Sequence, residues 1–331
     1  KLCRDFCSYC TFRISQQKIK NKDDAYLSTN SIKESLINAK ESGCTEVLFT
    51  LGQSPEKKYE IARKWLDKYG YTTTIDYIHE LCEMSLEVGI LPHSNPGVMS
   101  EKEFSILKDV NASMGLMLET SSKKLFTDIN GPHHYAPSKD PDIREKMLEL
   151  AGKMHHPFTT GLLLGIGETR QDIINSLKFI KQTNDQYGHI QEIILQPFIP
   201  HKNTLWYNKN PADLHYIQDT ILISSIIVPE IPLQVPPNLK NQHSLFLQSG
   251  CRDFGGISPV SIDYVNPENL WPQLSSLKEI ILKEKLGFKE RLPVYPKFIR
   301  DKNNNWISEK IRDVVHENDL TTPEGFRKQT R

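Results

Sequence analysis

The chain has 331 residues, which is long enough for one large α/β barrel or for two smaller domains. Apolar residues make up 38% of it and charged residues 25%, the balance of an ordinary globular protein. Basic and acidic residues are equal at 41 each, and a formal net charge of zero argues against a protein that binds nucleic acid through a basic surface.

Neither a membrane segment nor a secretion signal is evident. The longest apolar runs fall far short of the roughly 18 residues that a transmembrane helix needs, and no signal-peptide pattern occurs. Six cysteines in a chain of this length are too sparse for a secreted disulfide scaffold. We therefore expect a reducing, cytoplasmic location and no membrane partner.

Short apolar runs alternate with longer amphipathic segments. The runs predict buried strands at residues 46–50, 90–93, 112–118, 158–164, 192–197 and 233–235. The segments between them predict helices at residues 31–42, 55–68, 74–88, 142–154, 170–183 and 211–228. This alternation predicts parallel strands with right-handed crossovers, hence a partial or complete TIM-like α/β barrel. In such barrels the chemistry lies at the carboxyl ends of the strands.

The two ends of the chain deviate from this alternation. The chain begins at Lys1, without a methionine, and we expect one further barrel strand ahead of Cys3. Residues 300–331 are polar and rich in Asn, Lys, Glu and Thr, which predicts a mobile tail or a peripheral helix outside the core. We therefore expect a barrel with a C-terminal extension over residues 1–299.

Three of the cysteines, Cys3, Cys7 and Cys10, lie on one short stretch in the pattern C-x3-C-x2-C. Thiolates are soft ligands suited to an iron–sulfur cluster or to zinc. Structural zinc sites use four ligands, usually as two separated pairs, whereas no fourth cysteine or histidine lies near these three. A cubane cluster held by three cysteines keeps one iron free for another ligand. The pattern therefore favours such a cluster, and a zinc-stabilised binding module without catalysis stays as an alternative.

This spacing resembles that of the radical S-adenosylmethionine (SAM) superfamily, and the aromatic Tyr9 directly before Cys10 fits the same pattern. The resemblance implies a [4Fe–4S] cluster on Cys3, Cys7 and Cys10, with SAM bound to the fourth iron and Tyr9 among the cofactor contacts. One electron from the cluster would cleave SAM, and the 5′-deoxyadenosyl radical would take a hydrogen atom from the substrate. The cofactor carries the difficult chemistry in such enzymes, and the protein positions it.

The same resemblance implies SAM contacts at later strand ends. Gly52 lies where superfamily members have a Gly-rich segment for the SAM amino group, although alone it reads as an ordinary turn. Glu119 could accept hydrogen bonds from ribose hydroxyls. Arg144 could pair with the SAM carboxylate, or it could be an ordinary surface or ion-paired arginine. The stretch from Gly165 to Glu168 resembles the motif near the adenine, where glycine permits close approach; Glu168 is equally suited to cap the next helix.

Five further segments resemble one family closely, the 7,8-didemethyl-8-hydroxy-5-deazariboflavin (FO) synthases of the CofG type. They are residues 91–97, 110–119, 157–161, 196–200 and 253–260, and the resemblance covers about residues 1–299. Gln53 departs from the family pattern, where an acidic residue is expected, and Cys251 stands where a small residue is expected. The resemblance implies a radical SAM lyase that converts 5-amino-5-(4-hydroxybenzyl)-6-(D-ribitylimino)-5,6-dihydrouracil to FO, with release of ammonia, 5′-deoxyadenosine and methionine, in coenzyme F420 and FO biosynthesis.

The implied substrate contacts are His93, Asn95, Gln196 and Asp253, each of which also suits an ordinary structural role. The implied partners are a second radical SAM subunit of the CofH type, which makes the substrate from tyrosine and a ribitylaminouracil, and a reductant such as ferredoxin or flavodoxin. Other radical SAM enzymes, biotin-synthase-like or menaquinone-pathway-like, are the nearest alternatives. No residue of the sequence is assigned to proton transfer.

Overall fold

In the computed structural model, which describes residues 1–328, six strands form one parallel sheet in the order in which they occur in the chain. The strands are β1 (Glu46–Thr50), β2 (Leu91–Asn95), β3 (Ser113–Gly115), β4 (Phe158–Leu164), β5 (Ile190–Pro197) and β6 (Leu233–Gln234). Each predicted strand is therefore present, and the partial barrel is confirmed. The third is much shorter than the predicted 112–118, because only Ser113–Gly115 continues the ladder before the chain turns.

Helices connect the strands and continue beyond the sheet. They are α1 (Thr29–Glu41), α2 (Glu60–Tyr69), α3 (Thr74–Val88), α4 (Glu101–Lys108), α5 (Lys123–Thr127), α6 (Pro141–Lys153), α7 (Arg170–Tyr187), α8 (Leu214–Ile227), α9 (His243–Gln248), α10 (Leu274–Lys283), α11 (Pro296–Arg300) and α12 (Glu309–Glu317). Four short 3-10 turns occur at Gln16–Lys18, Lys22–Ala25, Pro55–Lys57 and Pro137–Lys139. Within residues 1–328, no helix has the length and apolar character that spanning a membrane requires.

The sheet has an apolar outer face and a polar inner face. Outward side chains such as Phe49, Met114 and Phe158 are buried in the main hydrophobic core. The inner face lines the lumen of the partial barrel, and there Leu48 of β1 is 52% exposed although it lies in the sheet. The lumen is therefore open to solvent beside β1.

A register shift changes which β5 side chains face the lumen. Phe158 pairs with Ile190, but the next residue, Thr159, pairs with Glu192, so Gln191 is an extra residue in β5. Such an irregularity reverses the alternation of side chains and is common beside active sites. As a result Ile190 and Ile193 both pack in the outer core, while Glu192 lies on the lumen side with Thr159.

The lower, amino-terminal end of the barrel is closed by residues 291–296, here called the floor segment. The Pro293 carbonyl accepts hydrogen bonds from the Ser113 hydroxyl of β3 and from the Gln191 amide, the latter at 3.0 Å. The Tyr295 backbone N–H donates to the other end of the same Gln191 amide at 3.2 Å. The floor segment thereby places Arg291 and Tyr295 beneath the lumen.

The prediction that residues 300–331 lie outside the core is wrong for residues 306–320, although the helix that it offered is present there as α12. Trp306, Ile311, Val314 and Val315 are buried and belong to the main hydrophobic core. Their spacing gives α12 one apolar side, which packs against α3. The segment is polar on average because its other side faces solvent. The domain division at residue 299 stays a prediction, and residues 329–331 lie outside the described part of the chain.

We expect Ile311→Ala to lower the free energy of unfolding by about 2–5 kcal/mol, because it leaves a cavity in a packed core. Ile311 is fully buried, whereas Ile226 on α8 is 71% exposed. Ile226→Ala is therefore the matched control and should change the free energy of unfolding by less than about 0.5 kcal/mol. Urea unfolding followed by circular dichroism measures both. Equal, small effects would show that α12 does not contribute to the core.

Candidate active site

The three predicted cluster ligands lie on residues 3–10, here called the cysteine loop, against the carboxyl end of β1. Gly52 contacts the loop so closely that a Cβ on it would lie 2.0 Å from the Leu2 carbonyl oxygen and 2.7 Å from the Cys3 Cβ. The next residue, Gln53, donates its backbone N–H to Cys3 Sγ at 3.2 Å and accepts from the Arg4 N–H at 2.9 Å. Gly52 thus allows the loop to approach the strand.

The other side of the cysteine loop is held by the segment between β3 and α6. The Phe6 N–H donates to the Tyr135 carbonyl at 2.8 Å, and the Ser8 N–H donates to the Pro132 carbonyl at 3.0 Å. The buried Asp5 carboxylate accepts hydrogen bonds from both the backbone N–H and the hydroxyl of Ser138. The loop is therefore fixed from two directions by backbone groups.

The cysteine thiols are free and partly buried. Burial raises the pKa of Cys7 to about 12, although Lys139 nearby opposes the shift, and burial likewise raises the pKa of Cys3. Within residues 1–328 no three His, Cys, Asp or Glu side chains are grouped as ligands of a single metal ion. A cubane, by contrast, offers a separate iron to each thiolate, so the arrangement fits a cluster better than one zinc ion.

Tyr9 joins the cysteine loop to the carboxyl end of β4. Its ring belongs to a small hydrophobic group with Ile166 and Trp206, and its hydroxyl lies 3.0 Å from Nε2 of His133. Burial lowers the pKa of His133 to about 3, so this imidazole is neutral. Nδ1 of His133 is buried without a hydrogen-bond partner among the described residues.

A buried ion pair lies beside Cys7. The Glu119 carboxylate contacts the Lys139 ammonium group, and both side chains are largely buried. Burial alone would raise the pKa of Glu119, but Lys139 and Arg144 hold it below its ordinary value. Arg144 is also buried: its Nε donates to the Ser138 carbonyl at 2.9 Å and its Nη1 to the Met117 carbonyl. The surface alternative for Arg144 is therefore wrong.

Glu168 holds the turn after β4 and does not cap α7. Its carboxylate accepts from the backbone N–H groups of Gly165 at 2.7 Å and Ile166 at 2.8 Å. The cap of α7 is formed by Thr169 and Asp172 instead, so the capping interpretation of Glu168 is wrong. Gly165 has a φ of +87°, and a Cβ there would lie 2.8 Å from the Cβ of Ala212. Glycine is required at this position.

Two of the predicted substrate contacts, His93 and Asn95, are neighbours on the lumen face of β2. His93 Nδ1 lies 2.6 Å from the Ser113 hydroxyl, and Nε2 lies 3.1 Å from the Asn95 amide. Burial lowers the pKa of His93 to about 4, so the imidazole is neutral. A Cβ on Gly115 would lie 2.5 Å from the Asn95 amide oxygen, so glycine in β3 leaves room for this pair.

Asp253, the third predicted contact, takes part in a buried charge network. Arg291 donates from Nε to Asp253 at 2.6 Å and from Nη2 to Glu192 at 2.8 Å. The Tyr295 hydroxyl donates to Asp253 at 2.5 Å. Burial alone would raise the pKa of Asp253, but Arg291 holds it below its ordinary value. Asp253 is thus a fixed anion paired to the floor segment.

Gln196, the fourth predicted contact, lies near the carboxyl end of β5 and is partly exposed. The structure therefore separates the predicted residues into two sets. Cys3, Cys7, Tyr9, Glu119 and Arg144 lie at the carboxyl end of the barrel. His93 and Asp253 lie lower on its inner side, and Asn95, on the same face as His93, is the last residue of β2.

Known proteins share both the sequence and the fold of this chain. The family model of the radical SAM superfamily matches residues 1–180. The 7,8-didemethyl-8-hydroxy-5-deazariboflavin synthase of Methanopyrus kandleri is 42% identical over 335 residues, which cover 98% of this chain and 96% of that protein. The synthase of the same name from Methanocaldococcus jannaschii is 41% identical over 96% of this chain and 86% of its own length. This chain belongs to the FO synthase family.

A longer member of the FO synthase family also matches. The FO synthase of Nocardia farcinica is 39% identical over 98% of this chain, but the match covers only 38% of that protein. Among solved structures, the hydrogenase maturase HydG from Carboxydothermus hydrogenoformans has a TM-score of 0.62 at 15% identity, covering 86% of this chain and 64% of HydG. Methylornithine synthase (PylB) has the same TM-score at 18% identity, covering 86% of this chain and 78% of PylB. These two show the fold alone.

As a member of the radical SAM superfamily, this chain has a [4Fe–4S] cluster and SAM as its cofactors. The cysteine loop fits the cluster, since it offers three thiols on a fixed backbone and no fourth donor. Sequence reasoning missed Lys139, His133, Glu192 and Arg291. Single residues of these types carry no signal in one sequence, and only the folded chain brings them together.

We expect Gly52→Ala to reduce the iron content after anaerobic reconstitution to less than about half of the wild-type value. The added methyl group would collide with backbone and Cβ atoms of the cysteine loop, which cannot move aside as a flexible side chain can. Gly287→Ala is the matched control, because nothing lies within 4 Å of its Cβ position. Iron and sulfide analysis with visible absorbance measures both variants, and full cluster loading in Gly52→Ala would contradict this account.

Proposed function

We propose that this chain is the ring-closing FO synthase, which converts the hydroxybenzyl–ribityl dihydrouracil to FO. The observation that carries this proposal is the family match over nearly the whole chain, together with three free thiols on one fixed loop. The cluster and SAM, when bound, supply a radical that removes a hydrogen atom from the substrate. The residues of the chain bind and orient SAM and the substrate.

At the carboxyl end of the barrel, we assign the SAM contacts to Tyr9, Glu119, Arg144 and Gly165. The buried Glu119 stays ionised beside Lys139 and could accept hydrogen bonds from hydroxyl groups. Arg144 has two nitrogens bonded to backbone carbonyls, and its guanidinium is held in one place for an anionic group. Glu168 acts on Gly165 through the turn that it holds.

Along the inner face of the sheet, we assign substrate recognition to His93, Asn95, Gln196 and Asp253. A neutral imidazole and a carboxamide can both donate and accept hydrogen bonds, as the edge of a uracil requires. Gln196 makes no side-chain hydrogen bond within the described residues, and its amide is free for a hydroxyl of the ribityl arm. The exposed Leu48 offers an apolar surface in the same lumen for the hydroxybenzyl ring.

A second polypeptide and an electron donor complete the proposal. The Nocardia farcinica FO synthase has more than half of its length outside the match to this chain. This supports a separate partner radical SAM subunit, of the CofH type, that makes the substrate. A low-potential reductant such as ferredoxin or flavodoxin would supply the electron, and we propose a cytoplasmic location for these reactions.

We expect Glu119→Gln to weaken SAM binding by about 10- to 100-fold, because hydrogen bonds to a charged acceptor contribute roughly 1.5–3 kcal/mol. Glu230→Gln is the control, since Glu230 is exposed beside Lys181 at the far end of α8. Equilibrium dialysis of SAM with the reconstituted protein measures the affinity. Unchanged binding in Glu119→Gln would remove Glu119 from the SAM site.

The assay for the function itself is FO formation. The reconstituted chain, given SAM, a reductant and the dihydrouracil substrate, should produce deazaflavin fluorescence and 5′-deoxyadenosine together. Cys7→Ala should produce neither. Release of 5′-deoxyadenosine without FO would favour another radical SAM reaction, and zinc in place of iron after reconstitution would favour the binding module.

A further inference from the structure

The charge network at the bottom of the lumen contains more acid than base. Two carboxylates, from Glu192 and Asp253, form ion pairs with the one guanidinium group of Arg291, and a third, Glu46, lies near enough for Arg291 to oppose the rise that burial causes in its pKa. Asp253 takes the larger part of the guanidinium group, with two contacts from Arg291 at 2.6 and 3.1 Å and the Tyr295 hydroxyl in addition. Glu192 has a single contact with Arg291, at 2.8 Å.

Because the sharing is unequal, Asp253 and Glu192 differ in their affinity for a proton. Arg291 holds the pKa of Asp253 below its ordinary value against the effect of burial. Burial raises the pKa of Glu192 to about 7. Arg291 offsets the effect of burial less at Glu192 than at Asp253, and the charges of Asp253 and Glu46 also oppose the ionisation of Glu192. Neighbouring carboxylates whose environments separate their pKa values are the usual arrangement for an acid or base and its fixed partner.

Glu192 also lies on the face of the sheet that lines the lumen. The register shift at Gln191 turns it to the inner face of β5, on the same side of that strand as Gln196. Thr159 of β4 donates its hydroxyl to the other carboxylate oxygen at 2.9 Å, which fixes the side chain. His93 of β2 faces the same network and is neutral, so it does not compete as a cation.

The proposed reaction requires such a group. The dihydrouracil substrate exceeds FO by one ammonia and two hydrogen atoms. One hydrogen atom goes to the deoxyadenosyl radical; the other leaves as a proton and an electron, and this electron replaces the one that cleaved SAM. The departing ammonia gains a proton and leaves as ammonium. Counted from the amino group, two protons therefore move from the rest of the substrate to the leaving nitrogen, one that forms ammonia and one that forms ammonium.

We propose that Glu192 carries the proton that forms ammonia as the C–N bond breaks, a role that rests on the proposed function. The Glu192 carboxylate takes this proton from the ring, and the bonding electrons of the broken bond stay in the ring. The carboxylic acid so formed gives the proton to the amine nitrogen as the C–N bond breaks, which restores the carboxylate. Arg291 and Thr159 are positioning residues that hold Glu192 in place.

The test measures 5′-deoxyadenosine and FO separately in the reconstituted enzyme, on both sides of neutral pH. We expect Glu192→Gln to form 5′-deoxyadenosine within about threefold of the wild type and to lose FO by about 100-fold or more, the usual scale for a lost acid or base. Its residual FO rate should not show the wild-type pH dependence. Glu192→Asp should recover part of the FO rate, and Glu230→Gln should match the wild type throughout.

Two results would overturn the proposal. Glu192→Gln could make FO at the wild-type rate with an unchanged pH profile, or it could lose both products in parallel, which would restrict Glu192 to substrate binding or folding. Infrared difference spectra of the cluster-free protein provide a readout independent of activity: a carboxyl band that titrates near neutral pH should vanish in Glu192→Gln. If the wild type itself releases 5′-deoxyadenosine but no FO, the proposed function fails and not the assignment of Glu192 alone.

Discussion

The ion pairs of Arg291 determine how the lower half of the barrel is built. A buried guanidinium requires partners, and removing one side of such a pair costs about 3–5 kcal/mol. Here the partners come from β5 and from the segment after β6, while Arg291 comes from the floor segment. The same contacts therefore close the barrel from below, join its last two strands and fix the charge of Asp253. Arg291 is thus the cation with which the carboxylates of Glu192 and Asp253 pair at the bottom of the lumen.

The upper half of the site depends on backbone contacts to a greater extent. The cysteine loop is held by main-chain hydrogen bonds to Gln53, Tyr135 and Pro132, and its distance from β1 is set by the absent side chain of Gly52. Apart from the Gln53 N–H that donates to Cys3 Sγ, these contacts place the loop through its backbone, and the thiols remain available for iron. The two halves are thus built differently. Backbone contacts position the cluster ligands in the upper half, and ion pairs position the charged side chains in the lower half.

The sequence predicted the parts of the fold that depend on local pattern. The apolar run at 158–164 is β4 as observed, and the helix at 74–88 is α3 as observed. Predictions failed where distant residues decide the outcome. Residues 300–331 are polar on average, and only contact with α3 makes the buried side of α12 apparent. Likewise Glu192 and Arg291 are 99 positions apart, and the register shift that turns Glu192 inward has no local sequence signal. The cysteine loop was predictable because its ligands are adjacent in the chain.

The packing of α12 on α3 has a consequence for synthesis. Lys40, which donates to the Gly89 carbonyl, also donates to the Asn318 side chain at 2.9 Å, so the last helix completes a layer begun by the first. During translation the outer side of α3 is exposed until α12 has left the ribosome. Domains generally fold as units once their residues are available, and exposed apolar surface invites aggregation in the interval. The barrel therefore completes its core only after α12 has been synthesised.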